Sequence, residues 1–329
     1  FRSRNSTMLL ARAQIRGILR TVAAILTVLI LVVLVQSIRR DGPAAVDAWR
    51  SAHVRWTWVA LSVVLGAMGH AFYVIGWRRL LNDAGIRVPL WQLIRFFLVS
   101  NLGRYLPGGK AWQMGIIGVM AAEHDLPAAA ITASSLFQGV IGVGVGAIVL
   151  FAAGGALVGL PTPWLALPLI GVTILLLCPV IIKSSDHLRR LITRHWPDVT
   201  SVTVGTMWML IWTSVGNWVM WGAAFYALGG ALLPSPVASI SSYIAAWSGS
   251  FLAGLIAVVS PAGLGAREGV MEAILHNAGM NAADVLIVVV IARVWSTVLD
   301  VVPAVTVLIF RKRRHARAAA DQLAQEVET

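Results

Sequence analysis

Long apolar runs alternate with short polar connections along most of this chain. Six of the runs hold about 20 residues with almost no charge, which is the length an α-helix needs to cross the hydrocarbon core of a bilayer. They predict full transmembrane helices at about 18–38, 56–77, 127–153, 163–183, 203–229 and 282–310. The pattern therefore predicts an all-α integral membrane protein.

Basic residues are concentrated in alternate connections. They follow the second run (Arg78–Arg95), the fourth run (Lys183–Arg194) and the last run (Arg311–Arg317), whereas the connections 154–163 and 229–236 carry no charge. Because cytoplasmic loops carry an excess of Lys and Arg, the basic connections are predicted to be cytoplasmic and the uncharged ones external, with both termini in the cytoplasm. One group of arginines opposes this orientation: Arg39, Arg40, Arg50 and Arg55.

Two further apolar segments lie between the predicted full spans. With this orientation, residues 91–122 leave and return to the cytoplasmic side, and residues 237–278 leave and return to the external side. Each segment contains a Pro- and Gly-rich break, "GRYLPGGKAWQ" (103–113) in the first and "SPAGLGARE" (260–268) in the second. We therefore predict two re-entrant hairpins that enter the membrane from opposite sides.

The two breaks align without a gap at an offset of 154 residues. Pro107 then falls on Pro261, and Gly109 falls on Gly263. The half-repeats, about 56–153 and 203–310, lie in one polytopic membrane domain, flanked by a basic N-terminus and a basic tail. Its predicted bounds are 18–310, with the flanking segments at 1–17 and 311–329. Because the hairpins open to opposite sides, the repeat is predicted to be inverted, and inverted repeats with broken helices near the bilayer midplane are typical of transporters.

The second break carries the candidate chemistry. Gly263 and Gly265 predict a tight turn, with positive φ or a close approach of the headgroup, and a half-helix is predicted to begin near Ala266. Its free N–H groups and the Arg267 guanidinium would attract an anion, while Glu268 would cap the helix and balance Arg267. The alternative is that Arg267 and Glu268 only neutralise one another and hold the hairpin in place.

The first break and the last span add further charges at membrane depth. Arg104 and Lys110 would supply the first break with positive charge, or would lie at the cytoplasmic surface if that hairpin is shallow. Arg293 and Asp300 are seven residues apart and so share one helix face, where they would contact the ligand or form an internal ion pair. The predicted substrate-binding residues are Arg104, Tyr105, Pro107, Gly108, Gly109, Lys110, Pro261, Gly263, Gly265, Arg267, Glu268, Arg293 and Asp300.

Composition excludes several classes of function. The chain is 58% hydrophobic and 12% charged, whereas soluble domains carry about 25% charged residues. The net charge of +12 does not indicate nucleic-acid binding, because the basic residues form short clusters between apolar runs. The seven His have no metal-ligand spacing, the single Cys178 lies in an apolar run, and no catalytic arrangement or cofactor motif is found.

Tryptophan and glycine positions predict two packing features. Trp near the ends of apolar runs are expected in the interfacial belts of the membrane: Trp56, Trp58, Trp77, Trp91 and Trp164. Gly142 and Gly146 form a small-xxx-small face that predicts close helix packing.

Two segments resemble the lysylphosphatidylglycerol-synthase transmembrane family, a group of flippase-like membrane proteins. They are "NLGRYLPGGKAWQ" (101–113) and "SPAGLGAREGVMEAIL" (260–275), the second of which is similar to the family's Pro-x-Gly-x-Gly-x-Arg-Glu signature. The resemblance implies movement of a lipid, or a lipid-linked headgroup, between leaflets. In bifunctional members an aminoacyltransferase domain follows the membrane region. This sequence ends shortly after its basic tail, so no synthase chemistry is expected here.

The sequence thus predicts a non-enzymatic lipid flippase of the bacterial cytoplasmic membrane. It would move an anionic or polyprenyl-phosphate-linked headgroup by alternating access, without a cofactor. Two alternatives stay open. A membrane enzyme acting on lipid phosphates would need a nucleophile or paired carboxylates near the breaks, where only Glu268 is found. A scaffold for a separate lipid or glycolipid synthase would need no transport site.

Overall fold

The computed structural model describes residues 54–105, 109–154, 202–233, 238–257, 263 and 265–328, with the backbone alone for 311–328. The described residues form eight α-helices and one 3-10 turn, without a strand, which confirms the predicted all-α class. The predicted spans at 18–38 and 163–183 lie outside the described residues. The helices are α1 (Trp56–Asp83), α2 (Leu90–Asn101), α3 (Gly109–Ala122), α4 (Ala128–Gly154), α5 (Val204–Leu232), α6 (Ile240–Ile256), α7 (Ala266–Asn277) and α8 (Ala282–Glu328).

Helix length separates two kinds of element. Three of the described helices, α1, α4 and α8 up to Phe310, are long and apolar enough to cross a membrane, with mean hydropathies of 1.8, 2.2 and 2.3. Helix α5 is equally long, at 29 residues. Helices α2, α3, α6 and α7 have 12 to 17 residues, or roughly 18–26 Å at 1.5 Å per residue. The order long, short, short, long therefore occurs twice, and α8 continues well past the predicted end of the last span.

Helices α1 and α5 pack side by side in opposite directions. At one end, the Arg55 side chain donates to the carbonyl of Leu233 (2.7 Å) and also bonds Gly230, so it caps the C-terminus of α5. At the other end, Asp83 accepts a hydrogen bond from the Thr203 hydroxyl (3.2 Å), beside the first turn of α5. Arg55 is one of the four arginines that oppose the predicted orientation. It caps α5 by bonding carbonyl groups that the end of the helix leaves free.

The short helices α3 and α7 end in the same way at equivalent positions. The Leu126 amide donates to the Ala121 carbonyl (3.0 Å), and the Met280 amide donates to the Leu275 carbonyl (3.2 Å). The residue before each donating amide has a positive φ, which is 54° at Asp125 and 92° at Gly279. These are Schellman motifs, and all of their positions differ by the 154 residues found in the sequence alignment.

Buried aromatic residues correct one prediction about tryptophan. Trp77, expected at the membrane interface, is fully buried and donates its indole N–H to the Ser134 hydroxyl of α4 (2.9 Å). Trp56 and Trp91 are 74% and 56% exposed, as an interfacial position requires, and Trp164 lies outside the described residues. Trp77 also lies near the end of an apolar run, so the sequence alone did not distinguish it from the interfacial tryptophans. Its burial depends on the packing of α4 against α1.

The small face of α4 packs against a tryptophan of α5. The Trp218 indole N–H donates to the carbonyl of Gly142 (2.8 Å). A Cβ at Gly146 would lie 2.6 Å from the same indole, whereas a Cβ at Gly142 meets no described atom within 4 Å. Gly146 is thus required by close packing, as predicted, whereas at Gly142 only the carbonyl is used.

These two glycines provide a matched stability test. Both Gly→Ala changes add the same helix propensity, but only the Gly146 methyl group collides with Trp218. We expect Gly146→Ala to be less stable than Gly142→Ala by about 1–3 kcal/mol, the usual cost of overpacking. Thermal unfolding of both variants in detergent measures the difference. Equal stability would contradict the close contact between α4 and α5.

Candidate functional site

The second break has the backbone that its glycines predict. Helix α6 ends at Ile256 and α7 begins at Ala266, so the predicted half-helix start is confirmed. Gly263 and Gly265 have φ values of 68° and 81°, a region that glycine enters without the steric penalty of a side chain. The prediction of positive φ at both glycines is therefore confirmed, and Pro261 lies outside the described residues.

Glu268 caps α7 but does not pair with its neighbour. One of its carboxylate oxygens accepts a hydrogen bond from the Gly265 amide (2.6 Å), which confirms the predicted cap. The other carboxylate oxygen lies 3.5 Å from Nε of Arg293 on α8. No direct ion pair joins Glu268 to Arg267 in the described part of the chain, because consecutive residues on a helix point about 100° apart and Glu268 faces α8. The two charges still lie within electrostatic range of one another.

Arg267 rests against neutral groups. Its guanidinium carbon lies 5.5 Å from the ring centre of Trp247 and 5.6 Å from that of Phe251, distances typical of cation–π contacts. Its aliphatic stem passes so close to α6 that a Cβ at Gly254 would lie 2.7 Å from its Cγ. Its Nε is buried and has no hydrogen-bond partner among the described residues. Aromatic rings and a glycine thus contact this arginine, and the Glu268 carboxylate lies within electrostatic range of it.

The first break is joined to the last helix through Asp300. Helix α2 ends at Asn101, and the 3-10 turn Leu102–Tyr105 follows. The Arg104 guanidinium forms an ion pair with Asp300, and the Tyr105 hydroxyl donates to the same carboxylate (2.7 Å). His70 of α1 lies 3.6 Å from the other carboxylate oxygen. Asp300 is completely buried, and three side chains from two other segments converge on its carboxylate.

This arrangement corrects the predicted pairing within α8. Arg293 and Asp300 share a helix face but lie about 10 Å apart along its axis, at 1.5 Å per residue. Arg293 pairs with Glu268 of the second break, and Asp300 pairs with Arg104 of the first. The last helix therefore connects the two breaks, instead of neutralising its own charges.

Lys110 lies beside the middle of α4. Its Nζ donates to the Gln113 side chain (2.9 Å), which in turn donates to Asn101 (2.7 Å). A Cβ at Gly139, near the midpoint of α4, would lie 3.8 Å from Nζ. Lys110 is exposed, and its amine lies at the level of the midpoint of α4. The depth of the first hairpin in the membrane stays a prediction. Gly109 packs so tightly that a Cβ would lie 2.8 Å from the Arg104 carbonyl oxygen.

A cluster of aromatic rings joins the two charged regions. Trp221 and Trp247 stack with ring centres 5.0 Å apart, and Trp295 meets both rings edge-on. His70 contacts the opposite end of the cluster, 4.9 Å from the Trp221 ring. Sequence reasoning missed these residues. His70 could have been found from the sequence, because it is a titratable side chain within an apolar run. No sequence pattern marks a tryptophan that is buried in the middle of a span.

Three arginines from different segments thus share one region. Arg267 lies within electrostatic range of both Arg104 and Arg293. A narrow crevice between α6, α7 and α8, lined by Trp247, Arg267, Glu268, Arg293 and Ser296 among others, has room for about one water molecule (≈ 10 Å³). Pro107 and Gly108 lie outside the described residues, which contain no cluster of metal-ligating side chains. The described site is a narrow, positively charged cleft.

One protein family matches this chain. The family described as "Lysylphosphatidylglycerol synthase TM region" matches residues 21–304, which include both breaks and most of α8. The curated proteins compared with the chain gave no match. The resemblance based on the two break segments is confirmed, and it indicates a membrane protein with a lipid-related function.

Gly263 provides a test of the backbone at the second break. Its φ is positive, and a Cβ there would lie 2.5 Å from the Cα of Gly254. We expect Gly263→Ala to lower stability by about 1–3 kcal/mol through strain and collision. The control is Gly269→Ala, where the new Cβ meets no described atom within 4 Å. Thermal unfolding in detergent measures both variants, and a Gly263→Ala variant as stable as the control would contradict this geometry.

Proposed function

The chain belongs to the lysylphosphatidylglycerol synthase transmembrane family, and we propose that it moves an anionic lipid headgroup between the two leaflets of the membrane. The observation that carries this proposal is the convergence of three arginines beside two helix breaks. Arg104 comes from the first break, Arg267 from the second, and Arg293 from the last helix. Charges at membrane depth are costly, and they usually mark a substrate or ion pathway.

The local chemistry suits a phosphate group. The start of α7 presents free backbone N–H groups and the positive end of its helix dipole. Arg267 adds a planar guanidinium that can bind two phosphate oxygens at once. The headgroup would occupy the polar cleft between the hairpin tips, while the acyl or prenyl tail stays in the surrounding lipid.

Repetition of the fold supports alternating access. Each group of four helices has the same order of lengths, and α3 and α7 end in Schellman motifs 154 residues apart. The helices that flank the breaks are shorter than the roughly 30 Å core of a bilayer, as expected of re-entrant hairpins. In this proposal the two groups form an inverted repeat, six helices of the whole chain cross the membrane, and both termini lie in the cytoplasm of a bacterial cell.

The ion pairs suggest how the transport cycle would work. Asp300 of the second group holds Arg104 of the first, which in this proposal stabilises the resting arrangement of the two groups. An incoming phosphate would compete with this carboxylate for Arg104 and loosen the contact between the two groups. A ligand can shift a conformational equilibrium only through such differential contacts. Anionic phospholipids and polyprenyl-phosphate carriers both fit this chemistry.

The topology can be tested with single cysteines in a background lacking Cys178. Asn82→Cys and His124→Cys flank the first hairpin, and Ser241→Cys and Asn277→Cys flank the second, all at exposed positions. With re-entrant hairpins, each pair reacts with an impermeant thiol reagent from one side of the membrane, and the two pairs react from opposite sides. A break segment that crosses the membrane only once, as a discontinuous helix, would place its two cysteines on opposite sides.

Substitutions of Arg267 test the transport site. Because Lys keeps the charge but lacks the planar fork, we expect Arg267→Lys to fold normally and transport more slowly. We expect Arg267→Ala to lose most of its activity, about tenfold or more, since charge-assisted hydrogen bonds contribute about 1.5–3 kcal/mol each. The measurement is flipping of labelled anionic lipid in proteoliposomes, with thermal unfolding of each variant.

Control variants distinguish transport from the two alternatives, a scaffold and an enzyme that acts on lipid phosphates. Arg87→Gln changes an exposed arginine in the connection between α1 and α2 and should transport normally. Glu268→Gln should bind lipid but release it more slowly, because the empty site would then carry one more positive charge. Normal flipping by Arg267→Ala would favour a scaffold role, and release of phosphate from the lipid would favour an enzyme.

A further inference from the structure

We propose that Asp300 takes up one proton each time Arg104 leaves it, so that movement of the headgroup is coupled to a proton gradient. The inference rests on the proposed function and deepens it, because it names the ion that would drive transport through the same site. It follows from the way in which the Asp300 carboxylate is held.

The two oxygens of the Asp300 carboxylate have different surroundings. One oxygen accepts a hydrogen bond from the Tyr105 hydroxyl (2.7 Å) and pairs with the Arg104 guanidinium. The other oxygen has no hydrogen-bond partner among the described residues, and Nε2 of His70 lies 3.6 Å from it. Asp300 is fully buried within the apolar part of α8, Ala282–Phe310. The carboxylate therefore has one neutralised oxygen and one free acceptor beside an imidazole.

The ion pair with Arg104 is the contact that compensates this buried charge. His70, the other basic group in contact with Asp300, is charged only when it is protonated, and its ring otherwise meets the rings of Phe97 and Trp221. Helices that pack against α8 carry further titratable side chains, as does α8 itself: Arg95 of α2, Arg267 and Glu268 of α7, and Arg293 of α8. Loss of Arg104 would thus remove the cation that is bonded to the carboxylate.

The position of the pair links it to the conformational change. Arg104 belongs to the first group of helices and Asp300 to the second, so relative movement of the two groups would separate them. Breaking a buried ion pair is strongly destabilising, because it leaves an uncompensated charge in a medium of low dielectric constant. A proton on Asp300 removes that charge. It therefore favours the separated arrangement, since it binds there and not where Arg104 is bonded.

The charges balance when one proton enters with one headgroup. A phosphodiester headgroup carries one negative charge and replaces Asp300 as the partner of Arg104. A proton from water joins the Asp300 carboxylate to form a carboxyl group, whose O–H can donate to a neutral nitrogen of His70. The site then has the same net charge as before. We therefore expect electroneutral transport of one proton with each monoanionic headgroup.

The first test needs no lipid. Arg104→Gln removes the cation from the pair, so its folded state should bind a proton on Asp300 that the unfolded chain binds less tightly. Relative to wild type, this variant should therefore be destabilised at pH 8 and recover by at least about 2 °C in Tm at pH 5. Adding Asp300→Asn should restore stability at pH 8 and abolish the recovery. The measurement is thermal unfolding of the full chain in detergent.

The exposed Arg87 provides the control for this test. Arg87→Gln also removes one positive charge, but from an exposed position, and should differ from wild type by the same amount at both pH values. An Arg104→Gln variant with the same destabilisation at pH 5 and pH 8 would overturn the proposal. It would show that another cation, such as Arg95 of α2, compensates the carboxylate.

The second test measures proton uptake on binding. The probe is phosphatidylglycerol, whose phosphodiester keeps one charge between pH 6 and pH 8. Binding that takes up one proton becomes tighter by up to about tenfold for each unit by which the pH falls. We expect this slope in wild type and in Glu272→Gln, which changes an exposed carboxylate of α7. Asp300→Asn should bind with an affinity that does not depend on pH. A pH-independent affinity in wild type would overturn the proposal.

A variant of His70 determines which residue holds the proton. His70→Gln keeps Asp300, so it should still take up a proton on binding, with the transition shifted to lower pH because the imidazole acceptor is lost. Loss of proton uptake in His70→Gln, or its retention in Asp300→Asn, would place the proton on the histidine and contradict the assignment.

The third test measures the driving force in proteoliposomes. With one proton for each headgroup, a gradient of one pH unit should distribute labelled phosphatidylglycerol about tenfold unequally between the leaflets, since the proton ratio is tenfold. A potassium diffusion potential without a pH gradient should produce no such asymmetry, because the proton and the headgroup together carry no charge. Asymmetry that follows the potential and ignores the pH gradient would overturn the coupling.

Failure of this inference can be distinguished from failure of the proposed function. Flipping that responds to no pH gradient, with no proton uptake on binding, would preserve transport and reject the coupling. Recovery of Arg104→Gln at pH 5, together with the absence of any flipping, would support the proton site and reject transport.

Discussion

The buried carboxylate of Asp300 is the contact on which the described arrangement depends. It lies in the last helix, is fully enclosed, and receives Arg104 and Tyr105 from the first break, with His70 of α1 close by. An ionised carboxylate removed from water is stable only with such partners. The contact therefore fixes the first broken hairpin against the second group of helices.

The second break is linked to α8 by a longer ion pair, between Glu268 and Arg293. Glu268 uses one oxygen to start α7 and the other to face Arg293 on α8. Between the two contacts, Trp221 stacks on Trp247, and the Arg267 guanidinium lies over the Trp247 ring. Charged and aromatic layers alternate across the centre of the described chain, and water has little room there. Electrostatic contacts are stronger in such a setting than in water.

Local chemistry was sufficient to predict the two breaks. A proline followed closely by several glycines favours a helix end, so the start of α7 at Ala266, the positive φ at Gly263 and Gly265, and the Glu268 cap followed from neighbouring residues. The same holds for the apolar helices, because hydropathy over about 20 residues depends on the sequence alone. The 154-residue offset that aligns the two breaks also relates the ends of α3 and α7.

The tertiary structure decided which side chains meet. Spacing on α8 suggested an ion pair between Arg293 and Asp300, but each found its partner on a different segment, from 25 to 196 residues away. Trp77 and His70 are placed by the crossing of α1 with α4 and α5, and no local pattern marks such a crossing. Sequence determines where a helix begins, ends and breaks, since those events involve nearby backbone groups. The partners of a buried charge depend on helix packing, which brings together residues that are distant in the chain.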